Sequence, residues 1–199
     1  MENLKIGAEI SNLKKILADD EKFYQIPDYQ RPYSWDKENI SDLIDDLVSA
    51  FTRNDNQNYF CGSIVLVENN NDNRFDVIDG QQRITTFTIM ACVFRDLYEN
   101  ILGKKALKYI SNSIQDEYEE SKRKLRFLTN EKYQVDFESD VLKKIEFIDF
   151  KNIERELKKK KYLANAHYIN QFFTEKVETE EINVEDFIIW FYENVVLAV

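Results

Sequence analysis

The stretch Arg74-Phe75-Asp76-Val77-Ile78-Asp79-Gly80-Gln81-Gln82-Arg83-Ile84-Thr85-Thr86 holds the most unusual grouping of chemistry-bearing side chains in the sequence. Its apolar start predicts a strand, Asp79-Gly80 a tight turn, and the residues from Gln81 onward a helix. The first N–H groups of such a helix have no intrahelical acceptor and point out of its N-terminus, which suits an anion. Arg83 can add a forked, charge-assisted grip on phosphate. Asp79 can hold a metal ion or orient a water, and Gln81 and Gln82 can position a nucleophile. A capped helix with a solvated first turn accounts for the same residues, and residue types alone leave both readings open.

A second cluster is Tyr29-Gln30-Arg31-Pro32-Tyr33-Ser34-Trp35. Its aromatic rings can stack on a base and its arginine can hold a phosphate. Equally, the rings can pack over the core.

The elements that must position these clusters are partly legible. Residues 23–26 predict a short strand, and the two prolines of the chain, Pro27 and Pro32, predict an ordered extended loop after it. Ile40, Leu43, Ile44, Leu47, Val48 and Phe51 recur at helical spacing, with Ser34 or Asp36 as the cap. Residues 59–67 predict one buried strand with a bulge or close approach at Gly62, forming a hairpin with 74–78 across a turn at 69–73. Ile84, Phe87, Ala91, Phe94, Tyr98 and Ile101 define one face of a long helix, which Gly103 should stop. Beyond it, Leu107, Ile110, Ile114 and Tyr118 form a helical stripe, and Ile153, Leu157, Ala164, Tyr168 and Phe172 another. Residues 124–128 predict a short strand, 129–130 a turn, and 187–199 an apolar segment within a mainly helical second part. The last residues carry neither cap nor polar tail, as expected of a fragment of something longer.

Composition narrows the classes. At 199 residues and 43% hydrophobic, the chain can bury a real core and is too apolar to be disordered. Four glycines and two prolines exclude a collagenous or low-complexity chain, and two cysteines with one histidine cannot complete a structural zinc site. There is no signal-peptide pattern and no 18-residue apolar run, so a cytoplasmic protein is expected. The formal net charge of −10 opposes a broad DNA-binding surface. Residues 1–103 carry 10 basic against 18 acidic side chains, whereas 104–199 carry 17 against 19. Basic runs therefore collect in the second part, at Lys122, Arg123, Lys124 and Arg126 and at residues 158–161.

Ile26-Pro27-Asp28-Tyr29-Gln30-Arg31-Pro32-Tyr33-Ser34-Trp35, then Tyr59-Phe60-Cys61-Gly62-Ser63-Ile64-Val65-Leu66, then Val77-Ile78-Asp79-Gly80-Gln81-Gln82-Arg83-Ile84-Thr85-Thr86 follow in order within about sixty residues. Together they resemble the N-terminal domain of GmrSD-type restriction proteins, a family named for its Asp-Gly-Gln-Gln-Arg motif and similar in fold to ParB and sulfiredoxin. The likeness is strong over residues 5–103 and looser beyond. It implies an α+β protein: a nucleotide-binding, ParB/sulfiredoxin-like domain with a mixed sheet over 1–103, and a mainly helical extension over 104–199. It also implies nucleoside triphosphate binding and hydrolysis, coupled to restriction of modified phage DNA. The expected catalytic set is Asp79, Gln81, Gln82 and Arg83. The expected ligand-binding set is Gln30, Arg31, Gly80, Arg83 and Thr85. Asp79 would meet a divalent metal such as Mg²⁺ that accompanies the triphosphate.

The family's nuclease usually lies in a later histidine-containing domain or a partner subunit. The lone His167 falls in a helical pattern and reads as structural, so the nuclease is expected outside this chain. Two other classes compete: a non-catalytic DNA-recognition module, and a scaffold whose helical half docks a nuclease. A sulfiredoxin-like redox role lacks a cysteine at the motif, since Cys61 and Cys92 lie in apolar segments.

Overall fold

The computed structural model describes residues 7–53, 57–69, 74–115, 122–128, 131–147 and 159–199. Its elements are β1 (Ile10–Asn12), α1 (Leu13–Ile16), β2 (Tyr24–Ile26), α2 (Lys37–Thr52), β3 (Tyr59–Ser63), β4 (Val65–Asn69), β5 (Arg74–Asp79) and α3 (Gln81–Tyr98). After a short 3₁₀ turn at Glu99–Ile101 come α4 (Lys104–Asn112), β6 (Leu125–Phe127) and α5 (Glu131–Phe137) with a π-helical turn at Glu138–Leu142. Then follow α6 (Lys161–Thr179), α7 (Val184–Asn194) and β7 (Val195–Ala198). The fold is α+β, as expected.

The strands make two sheets, ordered β1-β7-β3 and β4-β5-β2-β6. Within the larger sheet β5 runs antiparallel to β4 and parallel to β2, which is parallel to β6. β5 is therefore paired on both sides at Phe75 and Asp76, and at its end, Asp79, it is paired with Val65 of β4. Each sheet includes a strand from beyond residue 103, β6 in one and β7 in the other, and one apolar core runs under both.

α3 is the central element. It is buried without interruption from Ile84 to Phe94, so it is not the one-faced helix its spacing predicts. Two of its buried threonines are accommodated locally: Thr86 and Thr88 donate to the carbonyls of Gln82 and Ile84 at 2.8 and 2.9 Å. α6 packs on both α2 and α3, and α4 packs on α3 as well. α2 matches its predicted face, and Asp36 caps it in a reciprocal box with Asn39.

Three expectations are corrected. Residues 59–67 are not one strand. The chain breaks at the buried Ile64, whose N–H donates to the Ala198 carbonyl at 2.8 Å, so β3 enters one sheet and β4 the other. Of these two strands it is β4 that pairs with β5, and as an edge strand it leaves Val65 and Val67 about half exposed. Residues 187–199 are not one helical segment: β7 lies between an antiparallel β1 and a parallel β3, and a strand flanked on both sides needs the apolar run seen at 195–199. Gly103 does not stop α3, which ends at Tyr98; it precedes α4, and its N–H donates to Glu185 at 3.2 Å.

In α6 the fully buried side is Ala166, Ile169 and Phe173, while Tyr168 and Phe172 are half-buried. The predicted turn at 129–130, most of the turn at 69–73, and Tyr118, Ile153 and Leu157 lie outside the described residues.

Candidate functional site

Asp79 is the last residue of β5, Gly80 turns the chain, and Gln81 opens α3. Gly80 has φ of +88°, which glycine adopts without steric cost. A Cβ there would fall 2.4 Å from Ile64 Cγ2 and 3.1 Å from the Ser63 carbonyl. Gly80→Ala should therefore cost about 2 kcal/mol, from left-handed strain and crowding at the break between β3 and β4. A thermal or denaturant melt reads it, and an unchanged midpoint would show that the turn has room.

Gly80 at the start of α3 has no side chain to cap it, so among the described residues its first N–H groups face outward without a side-chain acceptor. They open on a cavity of about 270 Å³ lined by Gln30, Arg31, Trp35, Asp79, Gly80, Gln81, Gln82 and Arg83. The strand-to-helix junction and the proline-bearing loop thus meet in one place, with both arginines on the same cavity. Thr85 is not part of it: at 1% exposure it faces the core.

The three glutamines are tied to backbone. Gln30 Nε2 donates to the Ile78 carbonyl at 2.8 Å, and Gln81 Nε2 to the Arg31 carbonyl at 2.9 Å. Gln82 Oε1 accepts from the N–H of Ser34 at 2.8 Å and of Trp35 at 3.2 Å, while its Nε2 reaches the Pro32 carbonyl at 3.4 Å. Gln81 and Gln82 are buried, and in this arrangement they fix the loop to the helix start.

Arg83 is half-buried, and its Nη1 donates to the Ser63 carbonyl at 3.1 Å. It lies against Gly62, where a Cβ would come within 2.9–3.1 Å of three guanidinium atoms. Gly62, with φ of +93°, sits where the β3–β7 register shifts, so the expected bulge is also the seat of this arginine. Arg31 and Asp79 are exposed at the cavity.

The aromatic cluster divides. Trp35 lines the cavity, Tyr29 is 68% exposed and does not, and Tyr33 points into the core, stacked on Tyr162 at 5.5 Å. Burial pushes the Tyr33 hydroxyl up to about 12, and its hydrogen bonds with Thr86 and Asn165 oppose that rise. Residue spacing did not single out Asn165, Lys161, Gly62 or Ser63 as parts of the site's support. The one available signal for Asn165 was an amide inside the apolar stretch Leu163-Ala164-Asn165-Ala166.

The other polar candidates are structural. Burial raises the thiols of Cys61 and Cys92, to about 11 and about 12, so both stay protonated near neutrality. His167 is buried edge-on to Phe147, and burial lowers its basicity despite a backbone hydrogen bond at Glu146.

Among the described residues no group of three histidine, cysteine or acidic side chains could cage a metal ion. The carboxylate in the cavity lining is that of Asp79, and Mg²⁺ commonly takes one or two carboxylates together with a substrate's phosphates.

Two guanidinium groups, the N-terminus of α3 and one carboxylate surround a polar hollow on an α+β scaffold, a set of groups whose chemistry can accept an anion. The chain belongs to the family of the GmrSD restriction endonuclease N-terminal domain, whose model matches residues 13–197. It is therefore a restriction-system component, and the match extends well past the 5–103 stretch in which the likeness is most legible. No curated protein matches the chain. Among the described residues no helix is long and apolar enough to cross a membrane.

Proposed function

We propose that this chain is the nucleoside triphosphate-binding and -hydrolysing sensor domain of a restriction system that acts on modified phage DNA. The observation that carries the reading is the convergence of Arg31, Arg83 and the uncapped start of α3 on one cavity. The helix start and Arg83 meet phosphate oxygens, Arg31 neutralises charge from the facing loop, and Trp35 offers a ring face to the base. Asp79 is the residue that would hold Mg²⁺. That ion, when bound with the triphosphate, neutralises charge on the transferring phosphoryl group. Gln81 and Gln82 contribute by holding the loop, a role that their hydrogen bonds support better than direct positioning of a nucleophile. The nuclease belongs to another domain or subunit of the system, and modified DNA is met by the full-length assembly.

The alternative of a DNA-recognition module is disfavoured by the acidic balance of residues 1–103.

The test is calorimetric titration with ATP, GTP, CTP and UTP in the presence and absence of MgCl₂, followed by phosphate release. Wild type should bind at least one nucleotide more tightly with Mg²⁺, and Asp79→Asn should lose the Mg²⁺ dependence and slow release at least tenfold. Absence of binding by all four would overturn the proposal.

A further inference from the structure

The loop of residues 31–36 is held from two sides, and only one of them belongs to the cavity. From α3 come the glutamine contacts described above. From α6, Asn165 Nδ2 donates to the Tyr33 hydroxyl at 2.8 Å and to the Trp35 carbonyl at 3.0 Å. Lys161 Nζ donates to the Ser34 carbonyl at 2.9 Å. The Tyr33 hydroxyl lies 2.8 Å from Thr86 Oγ1, and Thr86 donates to the Gln82 carbonyl at 2.8 Å.

Hydrogen-bond direction orders these contacts. An amide nitrogen can only donate, so Asn165 donates to Tyr33; Tyr33 then donates to Thr86, and Thr86 to the Gln82 carbonyl. The chain runs from α6 through the loop to the first turn of α3, one residue before Arg83. Asn165 is 1% exposed, with Leu163, Ala164 and Ala166 buried around it. Burying an amide is costly unless it is hydrogen-bonded, and an aliphatic residue would serve packing alone equally well.

We propose that Asn165 is a positioning residue for the cavity. It fixes Tyr33 and Trp35 so that the loop presents Arg31 and the indole opposite Arg83. Asn165 is not among the lining residues and acts only through the loop. Its link to affinity rests on the nucleotide reading above, whereas its hold on the loop does not.

The experiment uses the full chain with Trp190→Phe, which leaves Trp35 as the single tryptophan fluorophore. Asn165→Leu is compared with Phe173→Leu, a buried change on the same helix that makes none of the loop's hydrogen bonds. Each is titrated with whichever Mg²⁺-nucleoside triphosphate binds wild type most tightly. Asn165→Leu should shift Trp35 emission to longer wavelength and weaken binding about tenfold, while Phe173→Leu leaves emission and affinity as in wild type. If Asn165→Leu does not fold, Tyr33→Phe severs the same chain, with the same direction of both readouts expected.

An unchanged emission, or a shifted emission with wild-type affinity, overturns the proposal. So does an equal loss of affinity in Phe173→Leu, which would make the effect one of stability alone. If wild type binds no nucleotide, the functional reading fails, and the emission shift by itself decides whether Asn165 holds the loop.

Discussion

Phe187→Ala should lower the stability of the chain by about 3–5 kcal/mol, among the larger losses that a single truncation produces. Phe187 is fully buried, and its ring lies 4.7 Å from Phe173, 5.4 Å from Phe51, 5.8 Å from Trp190 and 6.3 Å from Phe94, centroid to centroid. Those four rings stand on α6, α2, α7 and α3, so one side chain joins four helices. Removing it forfeits apolar burial and several tilted or edge-on ring contacts, and leaves a hollow that four packed helices cannot close. For a chain of this length each kcal/mol is about 2–4 °C, so the thermal midpoint should fall by roughly 10 °C. A melt that falls by less than about 3 °C would show that the helices collapse onto the gap.

Arg83→Ala should weaken Mg²⁺-nucleotide binding by about ten- to a hundredfold, and more than Arg31→Ala does. A charge-assisted hydrogen bond contributes about 1.5–3 kcal/mol, which is that range of affinity. The ordering follows from how each guanidinium is held. Arg83 leaves the first turn of α3, lies against Gly62 and is anchored by the Ser63 carbonyl, so little freedom is lost when an anion arrives. Arg31 is exposed on a loop and must be ordered by the ligand itself. The same anchoring gives Arg83→Ala a stability cost of about 1 kcal/mol, more than an unsupported surface arginine would show. Calorimetric titrations with matching melts decide the matter. Wild-type affinity in Arg83→Ala would reduce the 79–83 segment to a glycine-turned helix start with no phosphate role.

Much of the site was readable from local signals because its parts are local. Asp79-Gly80 between an apolar run and a helical period specifies a strand-to-helix junction, since only glycine enters the left-handed turn freely. The capping box at Asp36 and the apolar face of α2 are likewise short-range, set by contacts within a few residues. The three ordered motifs were enough to recognise the family. What needed the tertiary structure was everything that depends on residues far apart in the chain. That 59–67 splits between two sheets is decided by β7, more than a hundred residues later, whose Ala198 carbonyl takes the Ile64 N–H. That α3 is buried from Ile84 to Phe94 is decided by α4 and α6 packing on it, which no 3.6-residue period can report. That Gln81 and Gln82 hold the loop, that Thr85 faces the core and that Asn165 reaches Tyr33 are matters of hydrogen-bond partners, and a partner's position in space is not encoded in the residue's own type. By itself the sequence determined the family and the residue types that stand at 29–35 and 79–83; the packing of distant strands and helices decided which of them face the cavity and which hold it in shape.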